Sequence, residues 1–295
     1  MVVQIVWYIT LLKIIFEKKV IVDLHSHTTA SDGILTPSEL VRRAADNQIS
    51  MLAITDHDTV KGLPEAKETI MRENLAVKLI YGVEVSTIWK NNEIHIVGLN
   101  VDIENSQLLE LLLAQEQGRI NRAISISEKL AKVSIHDAYE QAQQFSKGDI
   151  VSRSHFARFL VASGYVKDIK QAFKKYLGKS GYAYVPANCC SIADAVKVIH
   201  AAGGQAVLAH PSRYDLTLTK LKLLINEFKT YGGDAIEVSQ SRQTQEDLQQ
   251  LAKLANEFEL LASQGSDFHD LVNYLDLGKT APLPGSVTPI WSDWR

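Results

Sequence analysis

The chain has 295 residues, 46% of them hydrophobic and 22% charged, with 31 basic against 34 acidic side chains and a formal charge of −3. That length holds one large domain or two modest ones with a substantial core. The near-even charge excludes bulk attraction to nucleic acid, so a polyanionic substrate has to be held by local positive charge or by metal ions.

The opening run "VVQIVWYITLLKIIF" is apolar, but Lys13 interrupts it and it is shorter than a spanning helix requires. It also lacks a basic stretch before it and a small-residue cleavage site after it. Residues 1–18 are therefore read as an N-terminal extension of unknown role, with no stable membrane partner expected. Short runs rich in Val and Ile then recur at 18–24, 51–55, 77–84, 93–101, 204–210, 234–239 and 259–267, giving seven expected strands. Helical segments separate them. "TPSELVRRAADNQ" opens with Thr36 as N-cap and Pro37 at the first helical position, with Glu39 close behind. "LPEAKETIMREN" follows the second strand, and three later helices ending near 204, 233 and 259 precede the last three strands. Such alternation predicts an α/β fold with a largely parallel sheet or barrel, while the short turn "WKNN" between strands three and four permits one antiparallel pair.

Residues 104–189 break this rhythm with four successive helical patterns and are read as a helical insertion over one end of a barrel built from 19–103 and 190–295. The only cysteines, Cys189 and Cys190, are adjacent. They make no ordinary disulfide and point to a reducing, cytoplasmic setting.

Six of the nine histidines fall at or beside expected strand ends. His25 and His27 close the first strand, His57 the second and His210 the fifth. His95 lies in the fourth, and His269 follows Asp267 at the end of the seventh. Asp32 and Glu84 accompany them. The C-terminal ends of strands in a parallel α/β barrel converge on one mouth, and residues two apart on a strand share a face. Imidazoles and carboxylates so gathered suit Zn, Mn or Fe, and their number is enough for two or three ions with positions left open. Paired metals suit phosphate-ester hydrolysis. His136 and His200 lie on helical patterns and are given no role.

As a set, "DLHSHTTASDG", "AITDHDT", "GVEVS", "AHPSRY" and "GSDFH" resemble the motifs of the PHP (polymerase and histidinol phosphatase) superfamily. Within it the match is similar to the bacterial group of 3′,5′-nucleoside bisphosphate phosphatases and 5′→3′ exoribonucleases. The resemblance runs from about Val20 through the closing "LGKTAPLPGSVTPIW". It implies a distorted (β/α)7 barrel with three divalent ions, most often manganese, with zinc or iron as alternatives. The first ion would be held by His25, His27, Glu84 and Asp267. The second would share Glu84 and take His95 and His210, and the third would take Asp32, His57 and His269. A hydroxide bridging the first two ions, near Glu84 and Asp267, would attack phosphorus.

The resemblance also brings "SRSHFAR" forward. Arg153 is the expected clamp on a second phosphate, because a guanidinium binds phosphate bidentately. His155 is an extra ligand or substrate contact, and Arg213 a second phosphate contact. Arg119 and Arg122, three apart on a helix, share a face and are expected on the surface or in the scaffold. The expected activity is metal-dependent hydrolysis of nucleoside 3′,5′-bisphosphates, with 5′→3′ trimming of short 5′-phosphorylated RNA. A small-metabolite phosphatase, acting for instance on histidinol phosphate, and a non-catalytic PHP binding module are the alternatives. Nucleotide or short RNA is the expected partner, and no protein partner is predicted.

Overall fold

The computed structural model describes residues 20–146, 148, 150–271 and 275–294; the expected N-terminal extension lies outside them. Seven strands coincide with the seven apolar runs: β1 (Ile21–Asp23), β2 (Ile49–Ile54), β3 (Lys78–Trp89), β4 (Asn92–Leu99), β6 (Gln205–Leu208), β7 (Ala235–Gln240) and β8 (Leu261–Gly265). An eighth, β5 (Cys190–Ser191), pairs with β3 at Thr87 and Ile88; two residues are too few to leave a periodic signal. The sheet runs β1-β2-β3-β4-β6-β7-β8.

Lys90 and Asn91 form the tight turn between β3 and β4, both with positive φ, as a type I′ hairpin requires. That turn reverses β4. The strand on its other side, β6, therefore also pairs with it antiparallel, a second reversed pair that the sequence did not reveal. All other neighbours along this path are parallel. The two ends of the ladder meet: Leu24 N–H donates to the Gln264 carbonyl (3.0 Å), Asp267 N–H to His25 (2.8 Å) and His27 N–H to Phe268 (2.9 Å). The result is a closed, distorted barrel.

Its interior is filled by Val22, Leu24, Ala53, Ile80, Val97, Leu99, Val207 and Ala209, and the tail residues Ile290, Trp291 and Trp294 pack against this cluster. The tail hydrogen-bonds Ala262 and Gln205, at the starts of β8 and β6, so it plugs the end opposite the strand C-termini. Helices α1 (Pro37–Asp46), α2 (Leu63–Glu73), α7 (Ile192–Ala201), α8 (Leu218–Thr230) and α9 (Gln245–Glu257) cover the outside. Each fully buried Leu, Ile or Phe in that layer contributes about 1.5–3 kcal/mol. Thr36 and Glu39 form the expected capping box on α1, with reciprocal bonds of 3.2 and 2.7 Å.

Helix α3 (Ser106–Ala131) has 26 residues, about 39 Å at 1.5 Å per residue. Leu108 and Leu112 pack into the barrel's outer core, whereas Ala123, Ile126 and Leu130 belong to a separate core with Phe156, Leu160 and Leu177. That second core is completed by α4 (Ala138–Gln143), α5 (Arg153–Ala162), α6 (Ile169–Ala172) and a π-helical turn at Phe173–Leu177. No described helix is long and apolar enough to cross a membrane.

Candidate metal centre

The nine donors expected from the sequence converge at the mouth formed by the strand C-termini. His25, His27 and Glu84 are fully buried. The Nε2 atoms of His25 and His27 lie 3.2 Å apart. Glu84 Oε2 is 3.3 and 3.2 Å from them, and Asp267 Oδ1 is 3.4 and 3.2 Å away. Donors about 2.0–2.1 Å from a tetrahedral ion stand about 3.3 Å from one another, so these four atoms have the spacing of a first coordination shell. Glu84 presents its other oxygen elsewhere: Oε1 lies 2.9 Å from both His95 Nδ1 and His210 Nε2. A third group gathers His27, Asp32, His57 and His269, with His269 Nε2 3.2 Å from Asp32 Oδ1. His27 thus borders two groups, and His57 also lies close to Glu84 and His95.

Two further observations fit cations to this cluster. Buried His27 Nδ1, Asp32 Oδ1, His57 Nδ1, Glu84 Oε2 and His210 Nδ1 make no hydrogen bond of good geometry among the described residues, although His57 Nδ1 and Glu84 Oε2 lie 3.0 Å apart and buried polar atoms almost always have a partner. The carboxylates also draw protons onto neighbouring rings. Burial opposes charge on His27 and His95, yet Asp267 and Glu84 raise the former to about 9, and Glu84 with Glu93 raises the latter to about 10. Burial alone would push the Glu84 carboxyl up, but the charges of His57, His25 and His95 hold it far below its ordinary range. Divalent ions supply that positive charge while displacing the protons.

The supporting residues are as well placed as the donors. Glu237 on β7 faces His25 Nδ1 at 3.1 Å and accepts the His210 backbone N–H at 2.6 Å. It thereby leaves His25 Nε2 free to face the other donors. Asp23 bridges the barrel seam, accepting from the N–H groups of Ser266 (2.8 Å) and Gly278 (2.7 Å). Asp56 ties down the loop after His27 through Thr28 and Ser31. Gly265 allows β8 to approach: a Cβ there would lie 2.3 Å from His25 Cβ.

A cavity of about 160 Å³ opens beside the donors, lined by Asp32, His57 and His95 on the barrel side and by Arg119, Arg122 and Arg153 from the insertion. Arg153 Nη2 reaches Glu93 Oε2 at 2.9 Å, and Arg122 grips the same carboxylate with both Nη atoms at 3.1 and 3.2 Å. Arg119 bonds Asp58 (2.6 Å) and Ser86 (2.7 Å). Burial alone would raise Glu93, but contact with His95 and the charges of Arg153 and Arg122 keep it ionised. Arg213 pairs with Asp267 and lines a neighbouring groove of about 270 Å³ that shares Glu93, His95 and Arg153 with the cavity.

His155 lies outside the lining of this cavity: its Nδ1 accepts the Ser152 N–H at 3.0 Å and completes a capping box on α5, and burial lowers it to about 4. Ser154, one residue earlier, donates instead to Asp32 at 3.1 Å and joins the insertion to the donor cluster. Burial pushes both cysteine thiols up to about 12, so neither is a ready nucleophile.

Residues 23–197 match the PHP domain model. The chain belongs to the PHP family. Over 276 residues it is 50% identical to the 5′-3′ exoribonuclease Rnm of Escherichia coli (strain K12), covering 94% of each chain. It is 40% identical over 274 residues to the 3′,5′-nucleoside bisphosphate phosphatase of Chromobacterium violaceum, covering 92% of this chain and 95% of that one. A solved amidohydrolase from Chromobacterium violaceum, with bound sulfate and no metal, superposes with a TM-score of 0.87 at 40% identity, covering 92% of this chain and 94% of that one.

In this PHP chain the residues missed by sequence reasoning are those whose partners lie far along the chain. Glu237 reads as one polar residue inside an apolar strand, though an acid in a fully buried run is itself a signal. Arg119 and Arg122, expected on the surface or in the scaffold, are instead largely buried and line the cavity. Glu93 gave no signal beyond its place two residues before His95.

Proposed function

We propose that this PHP-family chain is a phosphoesterase carrying three divalent ions, most suitably Mn²⁺, that removes phosphate from nucleoside 3′,5′-bisphosphates and trims short 5′-phosphorylated RNA from its 5′ end. The observation that carries this is the four-atom set on His25, His27, Glu84 and Asp267: the two imidazole nitrogens lie 3.2 Å apart and each is 3.2–3.4 Å from both carboxylate oxygens, the spacing of a metal shell. The activities of the exoribonuclease and bisphosphate phosphatase relatives point to the substrate class. Residues His25, His27, Glu84 and Asp267 would hold the first ion, Glu84, His95 and His210 the second, and Asp32, His57 and His269 the third. Bound ions supply Lewis acidity at the phosphoryl group and a lower pKa for the attacking water.

The chain's own residues do the positioning. Glu237 holds the His25 ring with Nε2 toward the other donors. The segment 104–189 acts as a substrate cap, and Arg153, on the wall it shares with the donor cluster, clamps the second phosphate. Arg213, beside Asp267, contacts substrate from the open side. The half-buried Cys189 and Cys190, both free thiols, agree with a cytoplasmic location.

Purified protein supplied with Mn²⁺ is expected to release inorganic phosphate from adenosine 3′,5′-bisphosphate, and EDTA to abolish the release. Metal-loaded protein inert on both the bisphosphate and 5′-phosphorylated oligoribonucleotides would overturn the proposal. Faster release from histidinol phosphate would replace it with a small-metabolite phosphatase. Arg153→Ala is expected to raise KM for the bisphosphate by at least about tenfold, since a charged hydrogen bond contributes about 1.5–3 kcal/mol. KM for a nucleoside monophosphate stays unchanged; equal losses on both would remove Arg153 as the selector.

A further inference from the structure

Glu93 stands out because the donor cluster does not use it, yet it sits at the junction of the closed cavity and the open groove. Its two oxygens meet both Nη atoms of Arg122 at 3.1 and 3.2 Å, and Oε2 also meets Arg153 at 2.9 Å. This fork-on-carboxylate arrangement is the one arginine also makes with phosphate. At about 160 Å³ the cavity has room for a phosphate group, and the adjoining groove of about 270 Å³ continues from it past Glu93.

We propose that Glu93 is a resident stand-in for the substrate's second phosphate: it occupies the anion position between Arg122 and Arg153, and a phosphate dianion displaces it. This inference rests on the bisphosphate reading above.

Charge determines what can displace it. Arg119 is already matched by Asp58 at 2.6 Å. Arg122 and Arg153 carry two positive charges against the single negative charge of Glu93, whose Oε1 also lies 3.9 Å from His95 Nε2, so the arginine pair keeps an excess of at least one. A terminal phosphomonoester carries a charge of about −1.5 to −2 at neutral pH and balances the pair. A phosphodiester carries only one negative charge and gains nothing over the carboxylate already in place. Glu93 thereby distinguishes a terminal phosphate from an internal linkage. The side chain has somewhere to go. It is partly exposed, and the groove on its other side is lined by Lys179 and Arg213. Its place next to the β3–β4 turn leaves the neighbouring backbone undisturbed.

The test titrates inorganic phosphate and dimethyl phosphate, a monoanionic diester, into the full-length chain after chelation, and measures KM for adenosine 3′,5′-bisphosphate in the Mn²⁺-loaded enzyme. If the arginine pair is free in about a tenth of molecules, removing the stand-in tightens apparent affinity by about tenfold. Glu93→Gln is therefore expected to bind phosphate about that much more tightly, to acquire affinity for dimethyl phosphate, and to lower KM for the bisphosphate without raising kcat. Glu93→Asp, which keeps the charge, is expected to behave like the parent chain. Unchanged or weaker phosphate binding by Glu93→Gln overturns the proposal, because Glu93 would then organise the arginines. So does a gain that survives in the Glu93→Gln/Arg153→Ala double variant, because the anion would then bind elsewhere. A parent chain inert on the bisphosphate, with phosphate affinity still gained in Glu93→Gln, refutes the substrate reading and upholds the anion exchange.

Discussion

Asp267→Asn and His25→Ala are each expected to lower kcat by about a thousandfold at saturating Mn²⁺, a loss of about 4 kcal/mol of transition-state stabilisation. Each removes one of the four donor atoms of the group formed by His25, His27, Glu84 and Asp267. Folding is expected to survive. Burial disfavours the Asp267 charge, but His25, His269, His27 and Arg213 hold it ionised without bound ions, so its loss is expected to lower the melting temperature of the chelated chain modestly without unfolding it. Steady-state rates with a thermal melt of the chelated variants check both halves. An unchanged kcat means the first ion lies elsewhere.

Glu237→Ala is expected to weaken metal affinity by about 10–100-fold, the usual effect of removing the partner that orients a ligating histidine. The carboxylate holds two donor positions at once, His25 through Nδ1 at 3.1 Å and His210 through its backbone N–H at 2.6 Å. Once it is gone, the His25 ring is free to carry its proton on Nε2, where it cannot ligate. Glu237→Gln keeps one acceptor and falls between the two. Competition against a chelating dye reads the affinity directly. High Mn²⁺ restores turnover in the alanine variant if Glu237 acts through His25, and fails to restore it if Glu237 is needed for the barrel itself.

Most of the donors were legible because they sit in short motifs at or just beyond the ends of apolar runs, where the chain leaves the barrel; Glu84 and His95, inside β3 and β4, stood out as polar residues within such runs. Strand ends are local events, and local events leave a trace in sequence. The arrangement around them is not local. Nothing near position 237 says that its carboxylate will meet His25, and the helical spacing of Arg119 and Arg122 gives their shared face without saying whether that face meets water or a cavity. A histidine three residues after a serine at a helix start reads as a chemical group, and nothing local says that His155 also caps its helix. The fold followed the same rule: seven strands were visible as runs, while the two-residue β5 and the antiparallel β4–β6 pair depend on what packs beside them.

The seam that closes the barrel joins the chain's beginning to its end: His25 and His27 lie on one side of it, Asp267, Phe268 and His269 on the other. A ribosome therefore has to deliver the chain through His269 before either donor group that uses those residues can assemble. Until then connectivity alone keeps the two halves of each group apart.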